Sequence, residues 1–294
     1  MFSKGQLGNQ FFQLNALLAV KKTGEPALLF GFSEARSIVR IEKAILIYLP
    51  KFAHGVIPNT FEKMLRKLGK FRIFGRIMLG EGDAGFTKKD GLFPIFTFDQ
   101  DWFQGWQFLN EENRLNFCME PPLSSQLDFW NKLENRACGS HLVFVHVRRG
   151  DYLDWPKGIN TSLPDSYFEQ QMKFLNTVIK NPVFVVFSDD PDYCNRIFGT
   201  RSDTVVVPPT DAIQSLAMMS RCSAGILSAS TFSWWAARLA SEGALGPWVA
   251  PEGWTNWHGK RPEPEIPRVS FLDFVKVAAE HRNDQAPGPG DSFD

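Results

Sequence analysis

Residues 142–151 read LVFVHVRRGD, and this stretch decides the fold. Its first six residues form a short apolar run rich in Val and closed by charge, the pattern of a strand buried on both faces. Downstream, residues 165–180 place Phe168, Met172, Leu175 and Ile179 at the spacing of one helical face. Residues 183–187 (VFVVF) give a second strand and 205–207 a third. Asp211 can cap a helix that carries Ile213, Leu216 and Met219. Residues 225–229 make a fourth strand, a helix begins at Ser230 and Thr231 and runs to about Ala240, and residues 248–250 end the series. This alternation predicts a mainly parallel sheet covered on both faces, a Rossmann-like α/β unit.

Upstream the chain is less regular. A glycine-rich turn at 5–13 (GQLGNQFFQ) leads into an apolar helix through Ala19, and residues 90–117 mix Asp, Trp, Phe and Gly as cleft-lining loops do. A boundary is expected within 121–140, and the tail 281–294 has almost nothing to bury and is expected to be disordered. The 294 residues suit two domains or one large one, and 44% hydrophobic content is ample for a core. Lys and Arg total 32 against 32 Asp and Glu, a balance that argues against a nucleic-acid partner held by bulk charge. The longest apolar runs fall well short of the roughly 18 residues of a membrane span, and no apolar segment follows Lys4 as in a secretory signal. Cys118, Cys138, Cys194 and Cys222 stand far apart without a CxxC, so they read as buried thiols of a reducing compartment, the cytoplasm. Trp234, Trp235, Trp248, Trp254 and Trp257 read first as core, with sugar stacking as the second use.

Three segments carry chemistry. In a parallel sheet, ligands bind beyond the carboxyl ends of strands, which is where residues 146–151 fall. Strand alternation puts His146 and Arg148 on one face and Arg149 opposite or already turning. Gly150 allows a tight turn, Asp151 can hold a guanidinium, and the fork of an arginine suits a phosphate or diphosphate. The bland alternative is a strand-end salt bridge between Arg149 and Asp151. An adhesive RGD is set aside, because the tripeptide abuts a buried strand. Residues 228–237 (SASTFSWWAA) bring small hydroxyl residues to a helix start, whose N–H groups can bind phosphate without a metal. An ordinary N-cap is the alternative there. Residues 5–13 are not a Walker loop, since no Gly-Lys-Ser/Thr follows, but their amides stand at a helix mouth.

In this order the three segments resemble glycosyltransferase family 11, the α-1,2-fucosyltransferases, with their GGLGNQ-type opening, HxRRGDY segment and STFSWWAA segment. Gly105-Trp106-Gln107 and the FSDD of 187–190 extend the likeness across roughly residues 5–254. The resemblance implies a GT-B-like α/β fold, two Rossmann-like domains with a cleft between them. An acceptor-side domain would occupy 1–135 and a nucleotide-sugar-binding domain 136–270. It implies inverting, metal-independent transfer of L-fucose from GDP-fucose to the 2-hydroxyl of a galactoside, with no cofactor. Arg148 would neutralise the departing diphosphate. His146, Arg149, Gly8, Asp190, Asp211, Ser230, Thr231 and Phe232 would serve the donor, and Gln10, Trp106 and Gln107 the acceptor. Asn9 would orient the attacking hydroxyl.

Asp151, Glu111 and Glu112 are available as general base, with Asp151 taken as the catalytic candidate. Where the family has an acidic residue thought to read guanine, this chain has Ser215, with Asp211 one helical turn earlier as a candidate substitute. Only four residues precede the glycine turn, fewer than the family's first strand needs, and the loop 153–164 departs from common members. These departures keep two alternatives open: a transferase of the same architecture using another nucleotide sugar, and a non-catalytic nucleotide- or glycan-binding relative. Asp99 and Asp101 match the DxD of metal-dependent transferases and read as a loop or acceptor-side feature. Residues 63–77 interleave Lys63, Arg66, Lys67, Lys70, Arg72 and Arg76 with apolar side chains. They read as a core-packing helix with a solvated basic face, and more sharply as a peripheral contact with an anionic membrane bearing lipid-linked glycan acceptors.

Overall fold

The structure is a computed structural model. It describes residues 1, 3, 5–21, 25–41, 46–49, 64, 67, 71, 73–79, 86–98, 104, 108–109, 115–119, 127–137, 139–244, 246–259 and 270–277. The tail 281–294, Cys138, Trp106, Gln107, Glu111, Glu112, Asp99 and Asp101 lie outside the described residues.

The N-terminal part holds α1 (Leu7–Val20), β1 (Ala27–Phe30), α2 (Ser33–Ile38), β2 (Val39–Arg40), β3 (Leu46–Leu49), β4 (Phe74–Leu79), β5 (Phe86–Lys89), β6 (Phe93–Phe98) and β7 (Asn116–Phe117). The C-terminal part runs α3 (Leu127–Ala137), β8 (Leu142–Val147), α4 (Asp165–Val178), β9 (Val183–Ser188), α5 (Pro191–Phe198), β10 (Thr204–Val206), α6 (Ala212–Met219), β11 (Ala224–Ile226), α7 (Thr231–Ala240), β12 (Trp248–Pro251) and β13 (Leu272–Val275).

The C-terminal strands form one six-stranded parallel sheet in the order β10-β9-β8-β11-β12-β13. Counted from β8 this is the doubly wound order 3-2-1-4-5-6, which reverses direction between β8 and β11. Alternation along β8 sends Leu142 and Phe144 to one face and Val143, Val145 and Val147 to the other, and each face packs its own helix layer. Phe168, Met172 and Leu175 of α4 are fully buried on the second face, as their spacing requires. The fourth strand is shorter than 225–229, because Ser228 and Ala229 already turn into α7. The series also continues past 248–250, since Leu272–Val275 pairs with β12 in parallel. At the other end α3 lies with this sheet: Arg136 donates to the carbonyls of Ser202 (2.8 Å) and Thr204 (3.2 Å).

In the N-terminal part β1 pairs β3 in parallel, and the backbone of Met1 and Ser3 bonds to that of Leu28 and Phe30. Helix α1 joins the two parts. Its Phe11 and Phe12 enter the same core as Trp234 and Trp235, with Phe12 lying 4.9 Å from Trp234 and 5.2 Å from Trp235 between ring centroids. Trp234, Trp235, Trp248 and Trp254 are buried, which settles them as core. Cys194 and Cys222 are buried free thiols, pushed up to about 11 and to still higher values chiefly by burial, whereas Cys118 is only half-buried.

Two expectations for the N-terminal part need correction. Within 63–77, Met64 and Lys67 are helical, but Phe74–Leu79 is a strand. Its period is two, not 3.6: Gly75 and Ile77 are buried while Arg76 and Met78 are half-exposed. Residues 90–117 are not all loop, because Phe93–Phe98 pairs with β4 in parallel. No helix among the described residues is long and apolar enough to cross a membrane.

Candidate active site

The site forms where β8 and β11 diverge, the place at which an open parallel sheet leaves a crevice at its carboxyl edge. Beyond Val147 the backbone N–H of Arg148 donates to Ser228 Oγ (2.9 Å), and that hydroxyl donates to the carbonyl of His146. One buried serine thus ties the end of β8 to the turn that starts α7. Tyr152 adds a second tie, its hydroxyl donating to the Ala229 carbonyl at 2.8 Å.

Both strand-end arginines are held by carboxylates, in a different pairing from the Arg149–Asp151 bridge weighed above. Arg148 places Nη2 at 2.6 Å from Asp151 Oδ1 and Nη1 at 2.8 Å from Asp189 Oδ2. Asp189 also accepts the backbone N–H of Arg149 at 2.8 Å, so it fixes the arginine and its loop together. A Cβ on Gly150 would lie 2.5 Å from Asp189 Oδ2, so only glycine lets this carboxylate approach the turn. Arg149 turns the other way, with Nε 3.2 Å from Asp190 and its guanidinium 3.4 Å over the Tyr193 ring. The Nε–H of Arg148 makes no hydrogen bond among the described residues, and each terminal nitrogen, with a single carboxylate contact, keeps a second hydrogen to donate. They are the donors left for an anion.

Across the crevice stands the start of α7. Ser230 caps it, its Oγ accepting from the N–H of Phe232, so the ordinary capping role holds for this hydroxyl. Thr231 Oγ1 donates to Asn9 Oδ1 at 3.0 Å, and Gln104 donates to the same oxygen at 2.8 Å. Asn9 Nδ2 makes no hydrogen bond among the described residues, which leaves two donors at this junction. Gly8 explains why the two helix starts meet. A Cβ there would stand 2.6 Å from the Phe232 nitrogen, so any side chain would force α1 away from α7.

His146 is buried with its ring centroid 5.4 Å from that of Phe232, and its Nδ1 has no hydrogen-bond partner among the described residues. Burial first, and the Arg148 cation second, push the imidazole down to about 3 from its ordinary 6.5. The ring is neutral in the fold, while in the unfolded chain it titrates near 6.5. The unfolded state therefore takes up the proton first as pH falls. Stability that is fully present above about pH 6.5 is lost toward pH 3, by up to about 1.4 kcal/mol per pH unit. Urea unfolding of His146→Asn is expected to show roughly 2 kcal/mol less destabilisation than the parent on going from about pH 7 to about pH 5. Equal losses in the two proteins would refute this.

With this geometry in hand, comparison with known proteins is decisive. A sequence profile described as Glycosyl transferase family 11 matches residues 126–258, which include both the arginine turn and the α7 start. An α-1,2-colitosyltransferase of Escherichia coli is 30% identical over 266 residues, covering 85% of this chain and 90% of that enzyme. The chain belongs to glycosyltransferase family 11. A galactoside α-(1,2)-fucosyltransferase 1 of Gorilla gorilla gorilla is 34% identical over 251 residues, 82% of this chain and 64% of that protein. Against an O-antigen biosynthesis glycosyltransferase of Escherichia coli, 28% identical over 160 residues, the match covers 52% of this chain and 46% of the relative. The glycosyl transferase family 9 structure from Veillonella parvula superposes with a TM-score of 0.53 at 11% identity, covering 93% of this chain and 84% of that one, which agrees with a GT-B fold.

For this family 11 chain, the structure sets Arg148 and Asp151 on one side of the crevice and Gly8, Asn9, Thr231 and Phe232 on the other, with His146 and Ser230 buried behind them. The other candidates have local duties. Gln10 is buried and engages α2, donating to Glu34 (3.2 Å) and accepting from the N–H of Ala35 (3.4 Å). Asp190 caps α5 while pairing with Arg149, and Asp211 caps α6 through the N–H of Gln214. Three contributors were not anticipated: Asp189, Ser228 and Gln104. The doubled aspartate at the end of a strand beside β8 was the available signal for the first.

Proposed function

We propose that the protein transfers L-fucose from GDP-fucose to the 2-hydroxyl of a terminal galactoside, with inversion and without a metal ion. The observation that carries this reading is the Arg148 guanidinium, held by two carboxylates across from the start of α7 at the sheet's switch point. The names of both relatives support the α-1,2 linkage, and the fucosyltransferase among them supports fucose as the sugar. In the reaction the acceptor hydroxyl gives its proton to a base on its own face of the sugar, and its oxygen bonds to the anomeric carbon as the bond from that carbon to the diphosphate oxygen breaks. Negative charge grows on the leaving diphosphate, and a preorganised cation with a helix start stabilises it, usually the largest single catalytic contribution. Asn9, hydrogen-bonded to Thr231, is set to orient the acceptor hydroxyl. Asp151 bonds to the arginine of the leaving-group side, whereas inversion needs a base on the opposite face of the sugar. We therefore assign Asp151 to holding Arg148.

Incubation with GDP-fucose and a panel of galactosides, followed by linkage analysis, tests the reading. An α-1,2-fucosylated product formed in EDTA is expected, and activity lost in EDTA but restored by Mn²⁺ would overturn the metal-free mechanism. A second reading, another nucleotide sugar as donor, is favoured by Ser215, a half-buried serine on α6. Calorimetry with GDP, UDP and TDP separates the two: selective GDP binding is expected, and preference for another base would move the assignment.

A further inference from the structure

Asn9 stands where distant parts of the chain meet. It lies on the first turn of α1, faces the first residue of α7, and touches Gln104, 95 positions along the chain. Two donors converge there on one atom: Gln104 Nε2 stands 2.8 Å and Thr231 Oγ1 3.0 Å from Asn9 Oδ1. Both lone pairs of this oxygen are taken. The start of α7 favours the same orientation, because its unsatisfied N–H groups and positive dipole end attract a carbonyl oxygen and repel an NH₂ group. Gln104 is itself on a fastened segment. Farther along, the Phe108 carbonyl accepts from Asn15 Nδ2 of α1, and Phe108 packs against the buried Ala16.

Asn9 is half-buried, and the part of its amide left over is Nδ2 with both hydrogens unspent. In this orientation the side chain can donate to an oxygen but offers no acceptor to the hydrogen of a hydroxyl.

We propose that Gln104 is a positioning residue: together with Thr231 it locks the Asn9 amide so that Nδ2 donates to the acceptor's hydroxyl oxygen. This rests on the fucosyl-transfer reading above and deepens it. One lone pair of the hydroxyl then accepts from Asn9, the other attacks the anomeric carbon, and the proton leaves to a separate base, since Asn9 presents nothing that could take it.

Two variants test the lock. Gln104→Met removes the donor at similar length, whereas Gln104→Glu puts an acceptor in its place. The amide then turns over, giving its N–H groups to the introduced carboxylate and to Thr231 Oγ1 and leaving its carbonyl toward the crevice. With acceptor and donor varied separately, kcat/KM for the acceptor is expected to fall about tenfold in Gln104→Met and about a hundredfold in Gln104→Glu. GDP affinity and the melting temperature should change little. A Gln104→Glu variant as active as the parent, or more active than Gln104→Met, would overturn the proposal, as would losses that appear only in GDP affinity or follow the melting temperature.

The orientation is also read without turnover, from ¹⁵N-labelled asparagine side chains. The Asn9 amide hydrogens, assigned by their disappearance in Asn9→Asp, are expected to exchange rapidly with water in the parent and more slowly in Gln104→Glu, where both are bonded. Slow exchange in the parent would overturn the lock even if fucose transfer holds. Rapid exchange in a parent that transfers fucose to no galactoside would uphold the lock and overturn the reaction instead.

Discussion

Arg148→Ala is expected to lower transfer by about two to three decades while the protein stays folded. The magnitude follows from removing one preorganised contact to developing charge, about 3 to 4 kcal/mol in the transition state. Folding should survive, because the substitution leaves Asp151 and Asp189 without a cation but not without water. Their side chains are 54% and 25% exposed, so the loss of each partly exposed pair costs only about 1 kcal/mol. Arg148→Lys separates charge from shape. A lysine keeps the positive charge but cannot bridge both carboxylates and still present a planar fork to a diphosphate, so its turnover should stay at least about tenfold below the parent. Steady-state kinetics on purified, folded variants is the measurement. Parent-like turnover in Arg148→Ala would remove this residue from the mechanism and, with it, the main support for the proposed reaction.

The second large effect is expected at a residue that need not touch substrate. Asp189 accepts from the Arg148 guanidinium and from the Arg149 backbone, and Gly150 leaves room for its carboxylate. Removing it in Asp189→Ala frees the guanidinium to swing toward Asp151, and a displacement of about 1 Å at a catalytic group can cost about 10²-fold. Asp189→Asn keeps the volume and an oxygen able to accept the Arg149 N–H, but loses the charge that holds Nη1. It should fall between, at roughly tenfold. Positioning makes a specific demand on the kinetics: kcat/KM for the donor and affinity for GDP should drop together, while KM for the acceptor and the melting temperature move little. A uniform loss that tracks the melting temperature would mark Asp189 as merely structural.

The pH dependence expected of His146 belongs to the same cluster. Its imidazole is neutral because it is enclosed and next to Arg148, so the placement that serves an anionic ligand also excludes a second cation from the wall behind it. This coupling was invisible in HVRRGD read as a string. The string announced a strand end with two arginines. It could not tell which carboxylate each would meet, since Asp189 and Asp190 arrive from the neighbouring strand about forty positions later.

The limits of the sequence were sharpest in the N-terminal part. Residues 63–77 looked helical because basic and apolar residues alternate at spacings that suit either period, and the strand Phe74–Leu79 emerged only through pairing with β5 and β6. Gln10 is a similar case. Adjacency to Asn9 suggested a shared task, but one residue along a helix turns the side chain by about 100°, away from Thr231 and onto α2.

Local periodicity was enough to place β8, α4, β9, α6 and α7 and to mark the three segments where chemistry resides, since each such signal is written within a dozen or so neighbouring residues. What folding alone decided was the company those segments keep. The strand order sets β8 beside β11, Ser228 bridges to Arg148 across 80 positions, and Asn9 meets Thr231 across 222. Pairings of that range depend on how complete surfaces fit, on the absent side chain of Gly8 as much as on any group present, and no short window of sequence contains them.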